Sequence, residues 1–218
     1  MNRKKEVIAS IVECGIIAVV RGQAKEEILQ AIEAALEGGV NAIEVTFTVP
    51  SPLEIISGLA EKVGPDVLLG AGTVLTAKMA LDAIDAGAQF IVSPSTNVET
   101  IEAAKSKGVP VFPGALTPTE VLTAWQVGAD MVKIFPANIV GPGYLKDLHG
   151  PFPDIPFMPT GGVDLSTCRS WLEAGATCLG VGGALIDRKL MAEGNYSEIT
   201  RRASEFRRII DEFRSTRF

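Results

Sequence analysis

The chain has a single histidine, His149, in 218 residues, with three cysteines, two tryptophans and no excess of positive charge. One imidazole cannot build a histidine-rich metal centre, and no cluster of Asp, Glu, His and Cys has metal-ligand spacing. This disfavours a metal-dependent epimerase or a class II aldolase, and neither a metal nor a cofactor is expected. Cys14, Cys168 and Cys178 are odd in number and lack C-x-x-C spacing, so they read as reduced thiols in a cytoplasmic protein. With 20 Lys+Arg against 26 Asp+Glu the formal charge is −6, which provides no global field for nucleic acid or an anionic membrane. No uninterrupted apolar stretch reaches the length of a membrane span. The basic start followed by apolar residues fails as a secretory signal, because Glu6 and Glu13 interrupt it and no small-residue cleavage site follows. A small anionic substrate would therefore be held by local cations or aligned backbone N–H groups.

What is present is an alternation of short apolar runs with longer stretches of helical period. The strand candidates are 16–20, 42–46, 67–69, 90–92, 109–112, 131–134, 157–158 and 178–181, rich in Val, Ile and Leu on both faces, as covered parallel strands are. Amphipathic segments at 25–37, 52–63, 77–86, 98–106, 118–127 and 165–174 lie between them. Gly39, Gly87, Gly128 and Gly175 each end a helix three residues before a buried run, a recurring grammar suited to glycine at a helix C′ position. Eight strands, nearly all followed by a helix, predict an α/β fold of one domain over residues 1–218. The expected form is a single closed (β/α)₈ barrel with an extra N-terminal helix over 4–14. A charged helical tail is expected from Tyr196 to Phe218.

Active sites of such barrels sit at the C-terminal ends of the strands. Those ends carry Arg21, then Glu44, Thr46 and Thr48, then Gly70-Ala-Gly-Thr73, Ser93-Pro94, Pro113-Gly114, Lys133-Ile-Phe-Pro136, Thr160-Gly161-Gly162 and Gly182-Gly183. This is the inventory of a small, stiff pocket for a small polar molecule. Lys133 is the most informative residue, since burial in an apolar strand favours the neutral amine and Arg21 would push the same way. A neutral lysine amine attacks a ketone to form an imine. By itself, a lysine that snorkels out or pairs with Asp130 explains the position as well. Glu44 tilts the balance towards chemistry, as a lone carboxylate in an apolar run facing the same mouth, although an ion pair with Arg21 or Lys133 stays open. The glycine pairs after the last two strands suit a phosphate cradle. Elsewhere plain readings suffice: His149 as a surface or loop histidine at the opposite end, Trp125 and Trp171 as packing, and the arginine-rich tail as a solvated face.

Six stretches in order also resemble a known family: Gly15-Ile-Ile-Ala-Val-Val-Arg-Gly22, Ile43-Glu-Val-Thr46, Gly70-Ala-Gly-Thr-Val74, Ile91-Val-Ser-Pro94, Val132-Lys-Ile-Phe-Pro-Ala137 and Met158-Pro-Thr-Gly-Gly-Val163. They are similar to those of the class I 2-keto-3-deoxy-6-phosphogluconate (KDPG) and 4-hydroxy-2-oxoglutarate (KHG) aldolases. The resemblance implies a homotrimeric barrel that splits KDPG into pyruvate and glyceraldehyde 3-phosphate, a step of the Entner–Doudoroff route. It implies Lys133 as the Schiff-base lysine and Glu44 as the general acid/base. It further implies Thr73 and Pro94 at the pyruvate end, Arg21 as a basic pocket residue, and Gly161–Gly162 with Gly182–Gly183 at the phosphate end. Phe135 and Thr160, inside the matching stretches, are taken as substrate-binding too. Two departures stand out: Thr48 where some members have an arginine, and Ala184 where some have a serine. The alternatives are the galactonate epimer as substrate, or a non-catalytic barrel that binds a phosphorylated metabolite.

Overall fold

The computed structural model describes residues 3–216; the last two residues of the expected tail, like Met1 and Asn2, lie outside them. In chain order the strands are β1 Ile16–Val20, β2 Ala42–Thr46, β3 Leu68–Gly72, β4 Phe90–Val92, β5 Val111–Phe112, β6 Gly114–Ala115, β7 Val132–Ile134, β8 Phe157–Pro159 and β9 Leu179–Val181. The helices are α1 Arg3–Cys14, α2 Lys25–Glu37, α3 Pro52–Ala60, α4 Ala77–Asp85, α5 Val98–Ser106, α6 Pro118–Val127, α7 Gly141–His149, α8 Cys168–Glu173, α9 Arg188–Ala192 and α10 Tyr196–Ser215. All strand pairings are parallel.

The expected closed eight-stranded barrel is not what forms. Six strands make one sheet in the order β5-β4-β3-β2-β1-β9, and β6-β7-β8 make a second, smaller one. The break has two physical causes. Pro113 separates β5, the end of the fifth run, from β6 just beyond it, since proline has no N–H for the ladder. At the other seam β8 meets β9 through one isolated bridge, Thr160 to Gly180. The result is an incomplete, barrel-like ring of parallel strands under a coat of helices.

One hydrophobic cluster of strand and helix side chains fills the interior. The strands are buried along their whole length, which explains why they read as continuous apolar runs. Gly39, Gly87, Gly128 and Gly175 all have positive φ, as the recurring helix-end grammar requires. The α6 start is a capping box: Glu120 N–H donates to Thr117 Oγ1, and Thr117 N–H donates back to Glu120 Oε2.

Three bland readings change. Trp171 is buried as packing, whereas Trp125 is 36% exposed. His149 ends α7 rather than lying in a loop; its Nε2 is 3.1 Å from Gly175 O and its ring meets Phe157 edge-on at 5.0 Å. The α10 arginines do form solvated ion pairs such as Arg208 with Glu212, but Arg207 and Arg214 also donate to the carbonyls of Cys14, Glu13 and Val12 at the end of α1.

Candidate active site

Lys133 is the middle residue of β7, hydrogen-bonded through its backbone N–H to Pro113 O at 2.9 Å, and only 3% exposed. Its Nζ stands 5.0 Å from the centre of the Phe135 ring. Burial pulls its pKa below the usual lysine range; the Glu44 carboxylate opposes that shift and the Arg21 guanidinium adds to it. Both charges act on the amine from other strands, so the ring of strands brings the three side chains to one mouth.

Glu44 is the middle residue of β2 and 1% exposed, and neither carboxylate oxygen has a hydrogen-bond partner among the described residues. Gly72, on the neighbouring strand two residues beyond Glu44's register partner Gly70, makes this possible: a Cβ there would fall 1.8 Å from Glu44 Oε1. The run Gly70–Gly72 is therefore the end of β3 rather than the loop after it, and its missing side chains leave room for the carboxylate. Thr160 Oγ1 is likewise buried without a partner, over Gly180, where a Cβ would lie 2.1 Å away. A buried polar atom left unpaired costs about 1–3 kcal/mol, and such atoms cluster where a protein keeps hydrogen-bonding capacity for a ligand.

A cleft of about 320 Å³ collects Arg21, Phe135, Thr160, Gly161, Gly162, Gly182 and Gly183, together with Val19, Val163, Asp164 and Ala184. Lys133 and Glu44, both buried, are not in its lining; the lining residue Phe135 has its ring centre 5.0 Å from the Lys133 amine. Thr73 and Pro94 are also outside it, half-buried after β3 and β4. Thr73 has φ 57°, a left-handed conformation that costs a non-glycine residue about 1–2 kcal/mol. Cavities of about 340 and 460 Å³ open at the opposite ends of the strands and contain none of these groups.

Asp164 was not singled out from sequence. Its Oδ1 accepts from the N–H of Ser166 and Thr167 and from both of their hydroxyls, bonds that hold its carboxyl below the usual range, the Ser166 hydroxyl most. The Thr167 hydroxyl has one proton, which goes to the Asp164 carboxylate; Asp164 N–H donates to the same oxygen at 3.0 Å, and Gly162 O lies 3.3 Å from it. The spacing Asp164-Leu-Ser-Thr167 ahead of α8 is a capping signature that could have revealed it.

At the other side of the mouth, Thr46 Oγ1 donates its single proton to Val20 O at 3.0 Å. The 2.7 Å contact with Thr48 must then have Thr48 as donor. Thr48 is thus committed to a hydroxyl chain that fixes the end of β1, the residue before Arg21.

The family model "KDPG and KHG aldolase" matches residues 7–202. Treponema pallidum 2-dehydro-3-deoxy-phosphogluconate aldolase is 35% identical over 187 residues, covering 85% of this chain and 88% of that one. Escherichia coli 2-dehydro-3-deoxy-6-phosphogalactonate aldolase is 35% identical over 171 residues, 78% and 83% of the two chains. The crystal structure of Legionella pneumophila KDPG aldolase, with pyruvate captured as a covalent carbinolamine, superposes with a TM-score of 0.82 at 30% identity over 91% of this chain and 96% of that one. The motifs, the fold and these matches agree: the chain belongs to the KDPG and KHG aldolase family of lyases.

Proposed function

We propose that the chain works as a single-domain, cytoplasmic class I aldolase that cleaves KDPG to pyruvate and glyceraldehyde 3-phosphate. The observation that carries this reading is a lysine 3% exposed, held towards its neutral form by burial, in electrostatic contact with a buried carboxylate that no donor among the described residues satisfies. Neutral Lys133 Nζ attacks C2 of the 2-oxo acid to give a carbinolamine, and loss of water leaves an iminium. Glu44 takes the C4 hydroxyl proton. The C3–C4 electron pair then moves into the iminium, which releases the aldehyde and leaves an enamine. Glu44 returns the proton to C3, and hydrolysis frees pyruvate and the amine. Arg21, Phe135, Thr160 and the two glycine pairs bind the rest of the substrate, with Thr73 and Pro94 at the pyruvate end. Free backbone N–H groups along Gly161–Val163 suit the phosphoryl oxygens.

The test is borohydride reduction in the presence of pyruvate followed by peptide mass spectrometry. A reduced pyruvyl adduct is expected on Lys133, and its absence there overturns the reading. Glu44→Gln is expected to slow cleavage by about 10²–10⁴-fold while the adduct still forms. A second reading has equal support from relatedness: the galactonate-series relative is 35% identical, as is the gluconate-series one. The ratio of kcat/KM for the two epimers, with KHG as a third substrate, decides between them.

A further inference from the structure

The 3-10 turn Ala137–Ile139 follows β7 directly, and Ala137 N–H donates to Thr160 O at 2.9 Å. That bond ties the strand bearing Lys133 to the glycine turn. On this turn Asn138 is exposed beside Gly161 and Gly162 of the cleft lining, and its amide makes no hydrogen bond to any described residue. It lies against both glycines. A Cβ on Gly162 would fall 2.5 Å from Asn138 Cβ, and one on Gly161 would fall 3.5 Å from Asn138 Oδ1 and 3.8 Å from the Phe135 ring. The two glycines, at φ 94° and 71°, therefore present backbone N–H groups next to an uncommitted amide. Nearby, Arg21 is the cation in the cleft lining, and the Asp164 carboxylate is occupied by Ser166 and Thr167. A side-chain amide supplies two N–H donors that a backbone cradle lacks.

We propose that Asn138 is a specificity-determining residue of this site, its side-chain N–H donating to the substrate's terminal phosphoryl group. This rests on the cleft holding a phosphorylated 2-oxo acid. Exchange of the amide for the isosteric carboxylate keeps shape and size while it replaces a donor by a like charge.

The experiment compares wild type, Asn138→Asp and Asn138→Ala on KDPG and on unphosphorylated KHG, with pyruvate release coupled to lactate dehydrogenase. Asn138→Asp should raise KM for KDPG by about ten- to a hundredfold, with Asn138→Ala between it and wild type, as expected for a lost hydrogen bond to a charged group. KM for KHG should change less than about threefold, the spread of ordinary context effects. Equal losses on both substrates, or an unchanged KDPG value, overturn the role of Asn138. A wild type that binds glyceraldehyde 3-phosphate no better than glyceraldehyde overturns the phosphate reading and Asn138's role together. If Asn138→Asp misfolds, shown by loss of the pyruvate–Lys133 borohydride adduct, the Asn138→Ala comparison alone decides.

Discussion

Lys133 carries two opposed influences whose signs can be separated. Burial is the largest effect and favours the neutral amine; Glu44 favours the cation and Arg21 disfavours it. In the proposed mechanism the neutral amine is the nucleophile, so activity should be lost as pH falls through the lowered lysine pKa, with kcat/KM reporting that value for the free enzyme. Glu44→Gln removes the carboxylate that raises the pKa, so the acid limb should move to lower pH. Arg21→Met removes a charge that lowers it, so the limb should move to higher pH. Profiles of kcat/KM against pH for both variants test this, and shifts in the same direction would refute the assignment. Lys133 and Glu44 stand out in the sequence because each is a lone ionisable group in an apolar run. What makes room for Glu44 does not, since Gly72 reads as one more turn glycine until β3 is seen to run through it. Thr48 also changes meaning, since its proton goes to Thr46 and it cannot at the same time donate to a substrate carboxylate.

At the scale of elements, β1, β2 and β4 match their apolar runs because buried parallel strands leave a continuous signal. The misplacements fall where glycine or proline carries the backbone. Gly70–Gly72 and Gly114–Ala115 are strand, though short of apolar side chains; Gly141 and Pro142 blur the start of α7, and α9, with five residues, is too short to show a helical period. The turn between β8 and α8 is the element on which the cleft depends most. Asp164 Oδ1 gathers four donors there, and Asp164 N–H donates to Thr167 Oγ1, which closes the turn that follows Gly162. Asp164→Ala should cost about 1 kcal/mol of stability, the usual loss for a capping side chain, read as a lower urea midpoint at unchanged slope. It should also raise KM for KDPG more than for KHG, because the freed turn is the one that presents Gly161 and Gly162. An Asp164→Ala enzyme with an unaltered KDPG/KHG ratio would show that the turn holds its shape without this carboxylate.

For the whole molecule, the strand–helix alternation predicted parallel order correctly and closure incorrectly. Order follows from short crossovers, whereas closure needs an unbroken hydrogen-bond ladder, which Pro113 and the single Thr160–Gly180 bridge interrupt. The same surface also bears on assembly. Leu75, Val98, Leu122, Trp125 and Ile139 are between 36% and 67% exposed, and all lie between the end of β3 and the turn after β7. Single exposed apolar residues are ordinary; these five fall within one stretch of the chain, 75–139, on the helices and turns that follow β3 to β7. We propose that they are covered in a homotrimer, the assembly that the sequence resemblance implies. Light scattering during gel filtration should then give three times the 23.0 kDa chain mass. A charged substitution at the most exposed of them, Ile139→Asp, should shift the protein to lower mass in a concentration-dependent way, and Trp125→Asp should do the same from α6. Pyruvate trapping on Lys133 should survive in the dissociated form, since Lys133, Glu44 and Arg21 all come from one chain. A wild type that stays monomeric at every concentration would leave these apolar residues without a partner and refute the trimer.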